Sequence, residues 1–183
     1  SSRGMKLRSL IISGRDGVGK DTFAKQCLYK VGYPLEQEPY RINLGVKDNI
    51  ENFILELNMI AEFYDEVELR QVLLLDPKSK SEIAVQLLNK LYETGSVVFV
   101  DDNMACVLPN RNIPEWLADI IRNESLNPQL GLFILSRLTP SSYVEVEYDG
   151  LAHIPLAPLT KKDRLKLFFN YARLYGLSGL TDD

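Results

Sequence analysis

Apolar residues along this chain fall into two patterns: short unbroken runs, and longer stretches in which they recur every three or four positions. The first run, Leu7 to Ser13, is apolar on both faces after Arg8, which suits a strand buried inside a parallel sheet. Lys20 to Lys30 then has Phe23, Ala24, Cys27 and Leu28 at helical spacing, stopped by Gly32 and Pro34. Tyr40 to Leu44 alternates like a short strand, and Ile50 to Ala61 carries an amphipathic helical stripe. Val67 to Leu75 is helix by composition and strand by its Val-Leu-Leu-Leu run, and is read as helix. Ser79 to Tyr92 is the clearest helix, with Ser81 the expected cap. Val97 to Val100 is an unbroken apolar strand, Pro114 opens a helix through Ile121, and Leu132 to Leu135 is a further buried strand. Val144 and Val146 alternate with Glu145 and Glu147, which predicts a half-exposed edge strand, whereas Pro155 and Pro158 limit regular pairing in the next segment. Thr160 caps a last helix bearing Leu165, Phe168, Phe169, Ala172 and Leu174.

Strands alternating with helices predict an α/β fold of three layers around a mainly parallel, five-stranded sheet. The 183 residues suffice for one domain and are too few for two full ones. A net charge of −4 gives no basic excess, so no specific nucleic-acid partner is indicated. No apolar run reaches the length of a membrane span, and the start lacks a signal-peptide layout, so a cytoplasmic location is the expectation. Cys27 and Cys106 have neither metal nor redox spacing and are expected to be free thiols. Ser1 to Gly4, ahead of Met5, are either foreign to the natural start or the end of an upstream segment.

The chemistry gathers at three strand ends. Gly14, Gly19 and Lys20 satisfy the G-x-x-x-x-G-K spacing of a phosphate-binding loop between a strand and a helix. Glycines let successive N–H groups turn inward, the helix adds its positive end, and Lys20 adds a full charge. The expected phosphate-binding set is Gly14, Gly17, Val18, Gly19, Lys20, Asp21 and Thr22. Asp21 stands where a magnesium-binding hydroxyl is usual, with Thr22 one position late, so either could take that place. The Val97 run ends in Asp101 and Asp102: an acid there suits the Mg²⁺ of a bound triphosphate, and the second could activate an attacking water. The third run ends in Ser136 and Arg137, whose planar cation could sense a γ-phosphate. Arg15 is open between phosphate and solvent, Lys161 to Arg164 read as a solvated first helical turn, and His153, the one histidine, reads as structural.

Ile-Ser-Gly-Arg-Asp-Gly-Val-Gly-Lys (12–20), Val-Val-Phe-Val-Asp-Asp (97–102) and Leu-Phe-Ile-Leu-Ser-Arg (132–137) follow the order and rough spacing seen in the STAND signalling NTPases. The chain resembles that group, which includes the NB-ARC and NACHT proteins, over nearly its whole length. Ile154 to Thr160 also look like the family's passage into a small helical subdomain. The resemblance implies a P-loop nucleotide-binding core over 1–159 and the start of a helical subdomain over 160–183. It implies ATP/ADP and Mg²⁺ as cofactors, Gly19, Lys20 and the residue after it on the β- and γ-phosphates, Asp101 serving the metal and Arg137 sensing the γ-phosphate; Asp21 in place of the usual hydroxyl is a departure from the family's pattern. A switch follows, in which ADP holds a closed form and slow ATP hydrolysis is coupled to opening and self-association, with adjoining sensor or effector domains. The competing reading is a small-molecule P-loop kinase of the (deoxy)nucleoside monophosphate type, which the Gly-Lys-Asp-Thr ending of the loop resembles but which lacks an arginine-rich lid segment here.

Overall fold

A computed structural model describes residues 6–180 apart from positions 35, 128 and 178, with 145 and 146 described by their backbone alone. The expectation for Ser1 to Gly4 lies outside the described residues. Five strands, β1 (Ser9–Ser13), β2 (Tyr40–Leu44), β3 (Val98–Asp102), β4 (Leu132–Ser136) and β5 (Leu151–Pro155), form one sheet in the order β2-β3-β4-β1-β5. Every neighbouring pair is parallel. Between them run α1 (Lys20–Lys30), α2 (Ile50–Ala61), α3 (Glu66–Val72), α4 (Pro77–Tyr92), α5 (Glu115–Arg122) and a single turn α6 (Val144–Glu147), and α7 (Lys161–Leu174) follows β5. The three-layer α/β architecture is the one expected for a P-loop NTPase fold.

The pleat divides each strand between two cores. Ile11, Val98, Val100 and Ile134 face α2, α4 and α5, where Phe53, Leu57, Leu88 and Ile120 are fully buried. Leu10, Ile12, Phe99 and Phe133 face α1 and α7 and pack with Phe23, Cys27 and Phe168. Burial on both faces explains why these strands read as continuous apolar runs rather than alternating ones.

Three expectations are corrected. Val144 to Glu147 are not an edge strand: they form one helical turn, closed by the Tyr148 N–H on the Val144 carbonyl at 2.9 Å. The fifth strand is Leu151–Pro155, which pairs with β1 in register Ser9↔Leu151 through Ser13↔Pro155. Pro155 is tolerated there because β5 is the edge strand and the proline is its last residue. At α4 the cap is Asp76, not Ser81: its carboxylate accepts from the Ser79 N–H at 2.9 Å, and Pro77 takes the first helical position, where no N–H is needed. Ser81 is buried within the helix and donates its hydroxyl to the Pro77 carbonyl. Val67 to Leu75 does contain a helix, α3, capped by a reciprocal Asp65–Glu68 box. Thr160 caps α7 as expected, and both cysteines are buried free thiols.

Helix α7 packs on β5 and inserts Phe168, fully buried, into the α1 side of the core. Phe168→Ala is expected to lower unfolding free energy by about 3–5 kcal/mol, as large aromatic truncations in closed cores do. Urea denaturation checks it.

Candidate functional site

Parallel strands deliver all their carboxyl ends to one edge, and the polar residues of β1, β3 and β4 meet there. The chain leaves β1 at Ser13, and the Gly14 N–H is held by the Ser136 carbonyl at 3.0 Å, so the loop begins tied to the end of β4. Gly17 (φ 79°) and Gly19 (φ 97°) take the left-handed conformation, which turns the chain around the loop and straight into α1. The Lys20 ammonium folds back over this loop and donates to the Gly14 carbonyl at 2.5 Å and the Arg15 carbonyl at 3.2 Å. Burial lowers its pKa from the ordinary lysine value; Asp16 and Asp101 oppose the shift and Arg137 adds to it. A partly desolvated cation beside the N-terminus of α1 is an electrostatic demand for an anion.

Lys20, Asp101 and Arg137 line one cleft of about 480 Å³, with Asp16, Asn43 and Asn103. Arg137 donates to the Asn103 side chain at 2.8 Å and lies 3.6 Å from Asp16, whose other oxygen is 3.9 Å from Lys20. Asp16 thus stands between the two cations expected to meet phosphate. Arg15 is exposed.

The two aspartates of β3 part company across the pleat. Asp101 lies on the α1 side, half-exposed, and both its oxygens accept from Arg41 Nη1, at 3.0 and 3.1 Å. Asp102 is 6% exposed on the other side. Its Oδ1 accepts from the N–H groups of Ala105 (2.9 Å) and Cys106 (2.7 Å), and its Oδ2 from the Val107 N–H (3.0 Å) and the Ser136 hydroxyl (2.9 Å). These four bonds anchor the loop after β3. Asp102 also lines the cleft with Asp101 and Arg137, so these bonds give it a structural role beside the catalytic one expected of it.

Asp21 and Thr22 also separate. Asp21, in the first turn of α1, pairs with Arg41 Nη2 and, at 3.5 Å, with Lys25. Thr22 points to a second groove of about 590 Å³, lined with Val18, Gly19, Gln26, Tyr29 and Arg164. Asp21, rather than Thr22, therefore shares a side with Asp101. Arg164 is more than a solvated residue: it donates to the Leu159 carbonyl at 3.1 Å and to the Leu156 carbonyl, fastening α7 to the exit of β5.

Among the described residues no group of three or more His, Cys, Asp or Glu is placed to hold a metal. Asp21 and Asp101 converge on one guanidinium, so the two carboxylates face a common point with hard oxygen donors. That fits Mg²⁺, which is typically held by one or two carboxylates together with substrate phosphates and water.

Beneath the loop, Ser13 Oγ lies 2.6 Å from His153 Nε2 and 3.2 Å from Thr139 Oγ1. His153 is 9% exposed, and burial pushes its pKa down from 6.5 to about 4. It is a structural histidine, as its sequence context suggests.

Arg41, Asp16 and Asn103 were not foreseen as parts of this edge. The one sequence signal for Arg41 is a basic residue on an alternating strand, and only the register of β2 against β3 (Arg41↔Phe99, Asn43↔Asp101) reveals what it faces.

No protein-family model matches the chain, and no curated protein matches it. Among solved structures, the crystal structure of a Signal Transduction ATPase with Numerous Domains (STAND) protein with a tetratricopeptide repeat sensor, from Pyrococcus horikoshii, is similar with a TM-score of 0.54 at 15% identity. The match covers 96% of this chain and 26% of that one. The likeness is one of fold, and this chain spans about a quarter of the neighbour's length. Separately, no described helix is long and apolar enough to cross a membrane.

Two measurements check the site's construction. Asp102→Ala leaves three buried N–H groups and a hydroxyl without their acceptor and is expected to destabilise by about 3 kcal/mol in urea, whereas Asp101→Ala stays within about 1 kcal/mol. For His153, the folded state refuses a proton that the unfolded chain accepts. Its contribution is fully present above pH 6.5 and is lost as pH falls toward about 4. The loss is about 3 kcal/mol, and His153→Gln should flatten that part of the stability profile.

Proposed function

We propose that the chain is the nucleotide-binding module of a STAND-type switch that binds ATP or ADP with Mg²⁺. One observation carries the reading: Lys20 at the start of α1, Asp101 at the end of β3 and Arg137 just after β4 line a single cleft beside a glycine loop that opens a helix. Residues Gly14, Gly17, Val18, Gly19 and Lys20 are the cradle for the β- and γ-phosphates. Asp101 and Asp21 hold the metal, and Arg137 meets the γ-phosphate. The groove bounded by Thr22, Gln26 and Tyr29 is open to the nucleoside. The fold shared with a STAND ATPase supports this assignment without fixing the chemistry.

When bound, Mg²⁺ offsets phosphate charge and draws electrons from the terminal phosphoryl group. The residues of the chain position it. Lys20 exchanges its loop carbonyls for phosphate oxygens, and Arg137 leaves Asp16 for the γ-phosphate. Water attacks phosphorus, the bond to the β-phosphate oxygen breaks, and ADP and inorganic phosphate leave. Asp102 is committed to its four bonds, which suits slow turnover and a molecule whose state is set by the nucleotide it holds. Helix α7 is on the side from which further helices would close over the nucleoside, and self-association or adjoining sensor and effector domains would read the result.

Calorimetry with Mg²⁺ and ATP should give saturable binding that Lys20→Ala weakens about a hundredfold, the loss of one charge-assisted phosphate contact. Unchanged affinity would move the site elsewhere. With γ-labelled ATP, label should appear slowly in inorganic phosphate; transfer to an added nucleoside monophosphate would replace the switch reading with the kinase one.

A further inference from the structure

Arg41 is the least expected member of this edge, and its contacts give it a role of its own. It projects from β2, the outermost strand on its side of the sheet, and lies over the Phe99 ring with its guanidinium carbon 5.5 Å from the centroid. That stacking fixes the plane of the fork. One nitrogen addresses both oxygens of Asp101 and the other addresses Asp21, so one cation spans the end of β3 and the first turn of α1. Without it the two carboxylates, both within reach of one guanidinium, would repel each other, a repulsion that an opposite charge must relieve.

We propose that Arg41 is the resident counter-cation of Asp21 and Asp101, and that a divalent metal ion reaches these carboxylates only by displacing it. The inference rests on the reading of these two aspartates as the metal-facing pair. An arginine in a protein does not give up its proton, so it cannot yield by becoming neutral. It has to move, and a small divalent ion alone offers it nowhere to go. A metal that arrives with a triphosphate differs, because the phosphate oxygens supply new partners for the released guanidinium. The pair is thereby held in one geometry for an incoming metal–nucleotide complex while being guarded against the bare ion. Arg41 is thus a positioning and specificity residue rather than a catalytic one.

The test uses Mn²⁺ alone on the nucleotide-free full chain, with free Mn²⁺ followed by its electron paramagnetic resonance signal. Arg41→Gln should bind Mn²⁺ about fivefold more tightly than the unaltered protein, as loss of an exposed but forked ion pair allows. Adding Asp101→Asn should abolish the gain. A gain under about twofold in a folded Arg41→Gln protein, or one that survives Asp101→Asn, overturns the proposal. A second measurement needs no variant: phenylglyoxal modification of Arg41, mapped by mass spectrometry, should rise at saturating Mn²⁺, and unchanged reactivity overturns the proposal as well. Neither assay contains nucleotide. Failure of ATP to bind therefore removes the nucleotide reading, whereas the Mn²⁺ results decide the role of Arg41.

Discussion

Five strands running in one direction place five carboxyl ends along one edge, and everything at the site depends on that shared direction. A parallel sheet closed by helices on both faces has no polar face of its own, so polar residues accumulate where its strands stop. Here they are Ser13 and the glycine loop, Asp101 with Asp102, and Ser136 with Arg137. The strand order adds a second constraint. Because β4 lies between β1 and β3, the acidic pair is two strand spacings, roughly 10 Å, from the loop strand. Arg137 comes from the strand between them.

Ion pairs within the chain already occupy much of this edge. Lys20 and Arg137 are near Asp16, and Arg41 is on Asp21 and Asp101. Lys20 and Arg137, the cations proposed to meet phosphate, and Asp21 and Asp101, the carboxylates proposed to meet a metal, already have partners from the chain. A bound metal–nucleotide complex would replace these pairs rather than add to them. Its net affinity would therefore be a difference between two sets of ion pairs, and an exposed pair is worth little. Such a site keeps its residues oriented without making the empty state too stable to leave.

How much of this was legible depended on how local the signal was. The phosphate loop, the α1 boundaries and the strands ending at Asp101 and Ser136 could be read because each is set by a few neighbouring residues. The fifth strand could not. Val144 to Glu147 carry a strand-like alternation yet fold as one turn, and Leu151–Pro155 conceal a strand behind a proline that harms pairing only in a strand's interior. Ser81 lost the cap to Asp76 because Asp76-Pro77 combines an acceptor with a residue that needs no donor. The structural bonds of Asp102 were hidden for a related reason: three of its partners are N–H groups three to five residues downstream, in a loop whose path has no periodicity, and the fourth is Ser136 on another strand. Arg41 was invisible until the register of β2 was known.

The opposed fates of Asp101 and Asp102 have a consequence for how the sheet must be assembled. Adjacent residues of a strand point to opposite faces, so a dipeptide at a strand end is a two-sided fitting, with one carboxylate turned to Arg41 and the other to the loop after the strand. Sliding β3 by one residue along β2 and β4 would exchange them. Asp101 would then enter the place where three N–H groups expect an acceptor, or Asp102 would emerge beside Arg41 with its own loop undone. The pairings Asn43↔Asp101 and Asp102↔Ser136 are therefore selectors as much as scaffolding, because which aspartate meets Arg41 and which meets the loop is written in the hydrogen-bond ladder and not in the acid itself.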